Sequence, residues 1–329
     1  MKIRVLGAGF YGCHIALALQ RDGHEVEVHE IASRIFAGAS GAIPARLHIG
    51  CHYPRSRVTR AACLEHHKEF MAEYGFLTRP VPVNIYAIAA GSSLVDFDQY
   101  VKTLRGEIQF ITLHDPTEYG LKNVEGAIQV NERHIVTDQA RGHFEDLLGG
   151  IVNLNTSPGE VDDKRWDWTI DCTFCANDSA GVDRYEPCLV VLLSGPTDRA
   201  VTVMDGPFPS LYPWNEDEGL CSLSSALWTP FSKECRTWAE ARELISRLTG
   251  DEIKTQAENM IASMAAFYPA VMEEYEIADY RISIRAMPLS GADTRLVDVV
   301  RVGSRVLRVR AGKIDAIIHA ARVIKEMIA

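Results

Sequence analysis

Near the start of the chain, Gly7, Gly9 and Gly12 stand at G-x-G-x-x-G spacing, and a carboxylate, Glu30, follows them. The absent side chains suit the holding of a diphosphate. Gly7 permits a tight turn, Gly9 lets a pyrophosphate approach the backbone, and Gly12 lets a helix pack closely on a strand. Ala8, Phe10 and Tyr11 fill the intervening positions and add their backbone amides to the same cradle. The N-terminus of the following helix offers free N–H groups and a partial positive charge to the phosphates. Glu30 falls at about the spacing where an acid binds ribose hydroxyls, and its charge disfavours a 2′-phosphate and hence NADP. The plainer alternative is a glycine-rich structural turn with a surface glutamate. The fingerprint alone does not separate FAD from NAD.

A second group of reactive side chains, His48, His52, Tyr53 and Arg55, lies within residues 33–57. Gly, Ala, Ser, His, Arg and Pro dominate that segment, and long irregular segments in compact proteins are usually functional or disordered. Histidine exchanges protons near neutral pH, and arginine holds anions. The His48/His52 spacing invites a zinc reading, but Gly50 and Pro54 oppose the helix it needs, so no metal is expected. The plainer reading of these side chains is loop anchoring by buried hydrogen bonds. His66 and His67, on the next helix, read as surface or packing residues. Cys172 and Cys175 form a CxxC pair with no second pair at zinc-ribbon spacing, and read as small residues ending a buried strand.

The elements that position these groups follow from periodicity. Residues 3–6 read as a buried strand, 13–21 as a helix ended by Gly23, and 25–30 as a second parallel strand, which makes a βαβ opening. A long helix is expected over 58–74, a strand over 81–89, a helix over 137–148, and strands over 151–154 and 168–174. From 189 to 223, short strands separated by Gly-Pro and acidic turns suggest an antiparallel sheet in a second lobe. Helices over 238–248 and 251–267, strands over 280–286, 296–302 and 305–310, and a helix over 314–328 complete the pattern.

The chain has 329 residues, 47% hydrophobic and 24% charged, enough for two lobes and a sizeable core. Its formal net charge of -10 opposes non-specific binding to nucleic acid or anionic lipid. Eight scattered cysteines read as reduced thiols, no apolar stretch approaches a membrane span, and the first apolar run is itself a motif rather than a leader. These features read as a cytoplasmic protein with no membrane association.

Gly38-Ala39-Ser40-Gly41, following the βαβ unit, resembles the D-amino-acid oxidase, glycine oxidase and sarcosine oxidase superfamily of flavoenzymes. Arg46-Leu47-His48-Ile49-Gly50-Cys51-His52-Tyr53-Pro54-Arg55-Ser56, Asp205-Gly206-Pro207-Phe208, Ser210-Leu211-Tyr212-Pro213 and Gly312-Lys313-Ile314-Asp315 resemble a subgroup of FAD-dependent oxidoreductases. The resemblance implies an α/β fold: a Rossmann-like FAD-binding domain interrupted by an antiparallel β-rich substrate lobe. The FAD domain would comprise 1–80, 130–185 and 285–329, and the lobe 81–129 and 186–284. The longer glycine-rich C-terminal signature of many members is reduced here to Gly303 and the Gly312 motif.

The resemblance also implies roles. Ala39, Ser40, Gly41, Arg46 and Leu47 would wrap FAD, and Thr173 would lie where a strand bends toward it. Gly312, Lys313 and Ile314 would meet the flavin end, with Lys313 offset by a plain reading as a solvated helix-start lysine. A positive group there suits the charge that develops at flavin N1 and the C2 carbonyl. Arg285 resembles the arginine that clamps a substrate carboxylate in amino-acid oxidases, against a surface ion pair as the alternative. Tyr212 and Trp214 would wall a pocket or pack a core. His48, Cys51 and His52 are candidates for covalent flavin attachment.

The expected activity is therefore FAD-dependent oxidation of a C–N or CH–OH bond in a small amine, amino acid or hydroxy substrate, by hydride transfer to flavin N5. His48, His52, Tyr53, Arg285 and Lys313 are the candidate catalytic residues. One alternative keeps the flavin but acts on an amino-acid-modified thymine in DNA, with Arg46, Arg55, Arg57 and Arg60 forming a basic mouth. Another is an NAD-binding or non-catalytic dinucleotide-binding protein.

Overall fold

A computed structural model describes all residues except 158, 160–162, 178 and 290–295. Apolar β-branched residues and near-complete burial make Lys2–Leu6 a central strand. It pairs in parallel with Glu25–His29 on one side and Trp168–Asp171 on the other. The six-stranded sheet runs Asp298–Gly303, Val306–Arg310, Trp168–Asp171, Lys2–Leu6, Glu25–His29, Val152–Asn153. Helix Phe10–Arg21 buries Phe10 and every residue from Gly12 to Leu19, as a helix covered on nearly all sides must. It shares its core with helices Thr137–Leu148 and Ile317–Ile328.

The second lobe is an eight-stranded sheet in the order Glu276–Pro288, Val182–Ser194, Leu220–Ser225, Pro209–Asn215, Arg199–Met204, Val83–Ala89, Val124–Val130, Phe110–Thr112. Alternation along Val83–Ala89 divides its faces. Ile85, Ala87 and Ala89 join a core with Met260 and Met264 of helix Gly250–Ala265. Tyr86 and Ile88 join another with Tyr100 and Leu104 of helix Phe97–Leu104. A small three-stranded sheet of Arg46–Leu47, Arg133–Ile135 and Thr78–Pro80 lies within the connecting segments.

Several expectations need correction. The lobe sheet is not wholly antiparallel, because Arg199–Met204 pairs in parallel with Val83–Ala89. Boundaries expected at 185/186 and 284/285 fall inside two strands, Val182–Ser194 and Glu276–Pro288, that pair along most of their length. The strand expected over 168–174 stops at Asp171, since Phe174 and Cys175 take φ of 58° and 61°. The last helix begins as a 3-10 turn, Ile314–Ala316, before Ile317–Ile328. Among the described residues, no helix is long and apolar enough to cross a membrane.

Candidate active site

The glycine turn sits where the first strand meets its helix. A Cβ on Gly12 would lie 1.9 Å from the Gly7 carbonyl oxygen, and one on Gly7, at φ 89°, would lie 2.9 Å from that of Cys172. A Cβ on Gly9 would reach 2.9 Å from Ser40 Oγ, filling the space between the helix start and the Gly38–Gly41 turn. The Phe10 N–H donates to Ser40 Oγ at 3.0 Å. Glu30 faces the same turn, its carboxylate accepting from the N–H of Ala8 at 2.7 Å and of Ala32 at 2.9 Å. A helix N-terminus, a cleft closed by any added Cβ and a carboxylate at its edge fit a dinucleotide.

Segment 33–57 folds back over this turn. Phe36 N–H donates to the Ala8 carbonyl at 2.9 Å, and the Phe36 and Phe10 rings lie 4.2 Å apart. Gly41 has no room for a side chain, because its Cβ would lie 2.2 Å from the Phe36 oxygen. Arg60, buried on helix Arg57–Tyr74, donates to the carbonyls of Tyr53 at 3.1 Å and Pro54 at 2.7 Å, which fixes the far end of the loop. Tyr100 hydroxyl donates to the Cys51 carbonyl at 3.1 Å.

This loop gathers a cluster of rings. The His48 and His52 rings lie 5.6 Å apart, and the His52 and Tyr53 rings 5.3 Å apart. Lys313 Nζ stands 4.3 Å from the Tyr53 ring centroid, enclosed and without a hydrogen-bond partner. Burial works against its charge, yet Tyr53, Cys63 and Asp315 raise its pKa above the usual lysine value. Tyr11, from the glycine fingerprint, donates its hydroxyl proton to the Lys313 carbonyl. A continuous path of contacts therefore joins the diphosphate cradle to the histidine cluster through Tyr11, Lys313 and Tyr53.

Burial, followed by the charge of Lys313, lowers the His48 pKa to about 4, so its imidazole is neutral near pH 7. Its Nδ1 faces Glu132, 3.6 Å from Oε1. Burial also opposes the charge of Glu132, but hydrogen bonds from His48, Ile49 and Tyr86 hold its carboxyl down at about 2. His52 is lowered well below the ordinary histidine range, first by burial and then by His48, and its Nδ1 is enclosed without a partner.

Other expected site residues are held by neighbouring side chains or packed in the core. Arg285 is ion-paired: Glu186, its cross-strand neighbour, accepts from its Nη2 at 2.5 Å and its Nε at 3.1 Å, and the charge of Tyr53 also acts on it. Arg46 turns to the large sheet, donating to Thr202 Oγ1 at 3.2 Å and Ser210 Oγ at 2.7 Å and covering the Tyr212 ring. Leu47 is a core residue, which leaves only its backbone for a ligand. Thr173 is tied to Asp171 by its hydroxyl at 2.6 Å and its N–H at 3.0 Å. The basic mouth does not form. Arg55 pairs with Asp205 at 2.5 Å, while Arg57 and Arg60 lie 3.6 Å and 3.0 Å from Glu107. Cys51 is fully buried, and burial raises its thiol pKa well above the usual value.

Sequence reasoning passed over Glu132, Tyr86 and Asn84. Glu132 stands between two short apolar runs and looks like a turn residue. Its only linear signal is a carboxylate flanked by Val130 and Ile135 strands.

Residues 2–151 match the family model of the DAO, FAD dependent oxidoreductases. A curated relative, FAD-dependent monooxygenase FPY4 of Fusarium mangiferae, is 32% identical across 99% of this chain and 91% of its own length. The chain belongs to the DAO family of FAD-dependent oxidoreductases. FAD-dependent monooxygenase kojA of Aspergillus flavus is 26% identical, over 100% of this chain and 86% of the relative. Glycine oxidase from Geobacillus kaustophilus shares the fold of this flavoenzyme at a TM-score of 0.70, with 14% identity, 99% of this chain and 94% of the oxidase covered. In this family the glycine turn, Glu30 and the overlying loop are the candidate FAD site.

Proposed function

We propose that this oxidoreductase removes two electrons from a small amine, amino acid or hydroxy compound, breaking a C–H bond next to nitrogen or oxygen. The observation that carries this reading is the path from the glycine cradle through Tyr11 and Lys313 to a neutral His48. It would join a dinucleotide site to a proton acceptor. FAD, when bound, supplies the two-electron acceptor.

The backbone from Gly7 to Gly12, through Ala8, Phe10 and Tyr11, would hold the diphosphate together with Ala39, Ser40 and Gly41. Glu30 would take the ribose hydroxyls, and Thr173 would border the middle of the cofactor. Gly312, Lys313 and Ile314 would meet its ring end, where the Lys313 ammonium offers a fixed positive charge. His48 would accept the substrate N–H or O–H proton at Nε2, which an ionised imidazole could not do. His52 and Tyr53 would line the same space and exclude water. Arg285 shares the Glu186 carboxylate with Arg184 and would clamp a substrate carboxylate only by giving up that pair.

The names of FPY4 and kojA favour a second reading, monooxygenation, in which one oxygen atom enters the product. Anaerobic mixing of the yellow holoenzyme with candidate amines and hydroxy acids separates the two. Loss of the flavin absorbance on adding substrate alone supports the first. Bleaching only by a nicotinamide reductant, with 18O2 label appearing in product, replaces it with the second.

A further inference from the structure

Glu132 links the strands Val124–Val130 and Arg133–Ile135, and none of its surface reaches solvent (0% exposed). Oε1 accepts the backbone N–H of Ile49 at 2.9 Å. Oε2 accepts the Tyr86 hydroxyl proton at 2.7 Å and approaches Asn84 Nδ2 at 3.4 Å. An isolated buried carboxylate costs several kcal/mol unless hydrogen bonds offset it. Three donors, two from strand Val83–Ala89 and one from the loop, supply that offset, so the site is built around an ionised Glu132.

The same arrangement dictates the state of His48. Its Nδ1 lies 3.6 Å from Glu132 Oε1 and 3.4 Å from Tyr86 Oη. Tyr86 gives its proton to Glu132, so both oxygens facing Nδ1 present lone pairs. An unprotonated Nδ1 would set lone pair against lone pair, whereas an Nδ1–H satisfies them. A neutral imidazole protonated at Nδ1 has its free lone pair on Nε2.

We propose that Glu132 is a positioning residue that fixes His48 in the Nδ1–H tautomer and leaves Nε2 as the acceptor of the substrate proton. This rests on the two-electron oxidation proposed above. The substrate N–H or O–H bond breaks, its electron pair stays on nitrogen or oxygen, and the proton bonds to Nε2. The imidazolium then formed lies against the Glu132 carboxylate. For the hydrogen and electron pair of the adjacent C–H bond, FAD, when bound, would supply the acceptor. The groups facing His48 have opposed effects: Glu132 favours its protonation, whereas Lys313 and Arg46 disfavour it. His52 packs against it, with Tyr53 and Tyr86 completing the enclosure.

Nitrogen-15 NMR of histidine-labelled holoenzyme at pH 7 tests the tautomer without any substrate. The expected result is an Nδ1–H resonance for His48, assigned by its absence in His48→Gln. In Glu132→Gln the amide oxygen stays on the Ile49 N–H and the NH2 takes the place of Oε2, so Tyr86 Oη accepts from it and turns its own proton toward Nδ1, and the tautomer switches to Nε2–H while FAD affinity is kept. An Nε2–H tautomer in the unaltered protein overturns the proposal, even if Glu132→Gln does not fold. Turnover is a separate readout. Glu132→Gln should lower kcat about 100-fold or more with little change in KM, the size of a lost general base. His48→Gln and the double variant should show the same loss, because two residues acting as one unit are not additive. The expected tautomers with undiminished kcat would instead overturn Nε2 as the acceptor of the substrate proton, and a folded holoenzyme that turns over no amine or hydroxy compound would remove the oxidation reading while leaving the role of Glu132 in orienting His48 intact.

Discussion

At the residue scale, what distinguishes one glycine from another is the atom that an added methyl would meet. Gly12 faces the Gly7 carbonyl oxygen at 1.9 Å, and both partners are backbone, so neither can rotate away. Gly12→Ala is expected to destabilise the fold by about 1–3 kcal/mol through overpacking and to weaken FAD binding. Gly142, in helix Thr137–Leu148, has open space around it. Gly142→Ala should stabilise by up to about 1 kcal/mol through helix propensity. Urea unfolding of the two apoproteins, with flavin fluorescence titration, checks both. Equal effects would mean that the cradle does not depend on the missing Cβ. The same local reasoning shows why Glu132 was illegible in the sequence. A lone glutamate in Asn131-Glu132-Arg133 acquires meaning only when Asn84, Tyr86 and Ile49 close around it from distant positions.

At the element scale, legibility followed pattern length. The opening βαβ unit and helix Arg57–Tyr74 stood out because helical periodicity runs over several turns and the glycines punctuate it. Between 90 and 136 nothing was expected beyond the strand before it. The structure has helix Phe97–Leu104 and strands Phe110–Thr112, Val124–Val130 and Arg133–Ile135 there. Those elements are short, and their pairing partners are remote, so local pattern carries little signal. Segment 33–57 read as irregular, and it contains only the four-residue helix Ala39–Ala42 and the strand Arg46–Leu47. Tertiary contacts order it, chiefly Phe36, whose ring lies 4.2 Å from Phe10 and 5.9 Å from Phe144. Phe36→Ala should cost about 3–5 kcal/mol. It should also make residues 33–57 the first site of limited proteolysis. Unchanged cleavage with a lowered unfolding midpoint would show that Phe36 stabilises the core without tethering the loop.

At the scale of the whole molecule, buried ionisable groups in different layers impose a shared dependence on pH. Burial is the first cause in each of three histidines whose pKa falls to about 4: His14, His48 and His134. They lie in the fingerprint helix, the loop cluster and the three-stranded sheet. In the unfolded chain each titrates near 6.5. Between pH 6.5 and 4, unfolding therefore takes up a proton at each, and their contribution, complete above pH 6.5, is lost as the pH falls through this window. Asp315 acts in the opposite sense. Burial raises its pKa from 3.8 to about 6, so its contribution is complete below 3.8 and is lost as the pH rises through 6. His52, His66 and His67 are lowered in the same sense as these three, and Glu216 is raised like Asp315, so uptake outweighs release near pH 5. Each proton of net uptake corresponds to a loss of about 1.4 kcal/mol for each pH unit of acidification. Glu132, held at about 2, adds its own loss as the pH falls from 4.5 toward 2. The melting temperature at saturating FAD should drop steeply between pH 6.5 and 5, and Asp315→Asn should steepen the drop by removing an opposing group. A melting temperature that is flat or rising over that interval would mean that the three imidazoles are charged within the fold, and His48 could not then take a proton from a substrate.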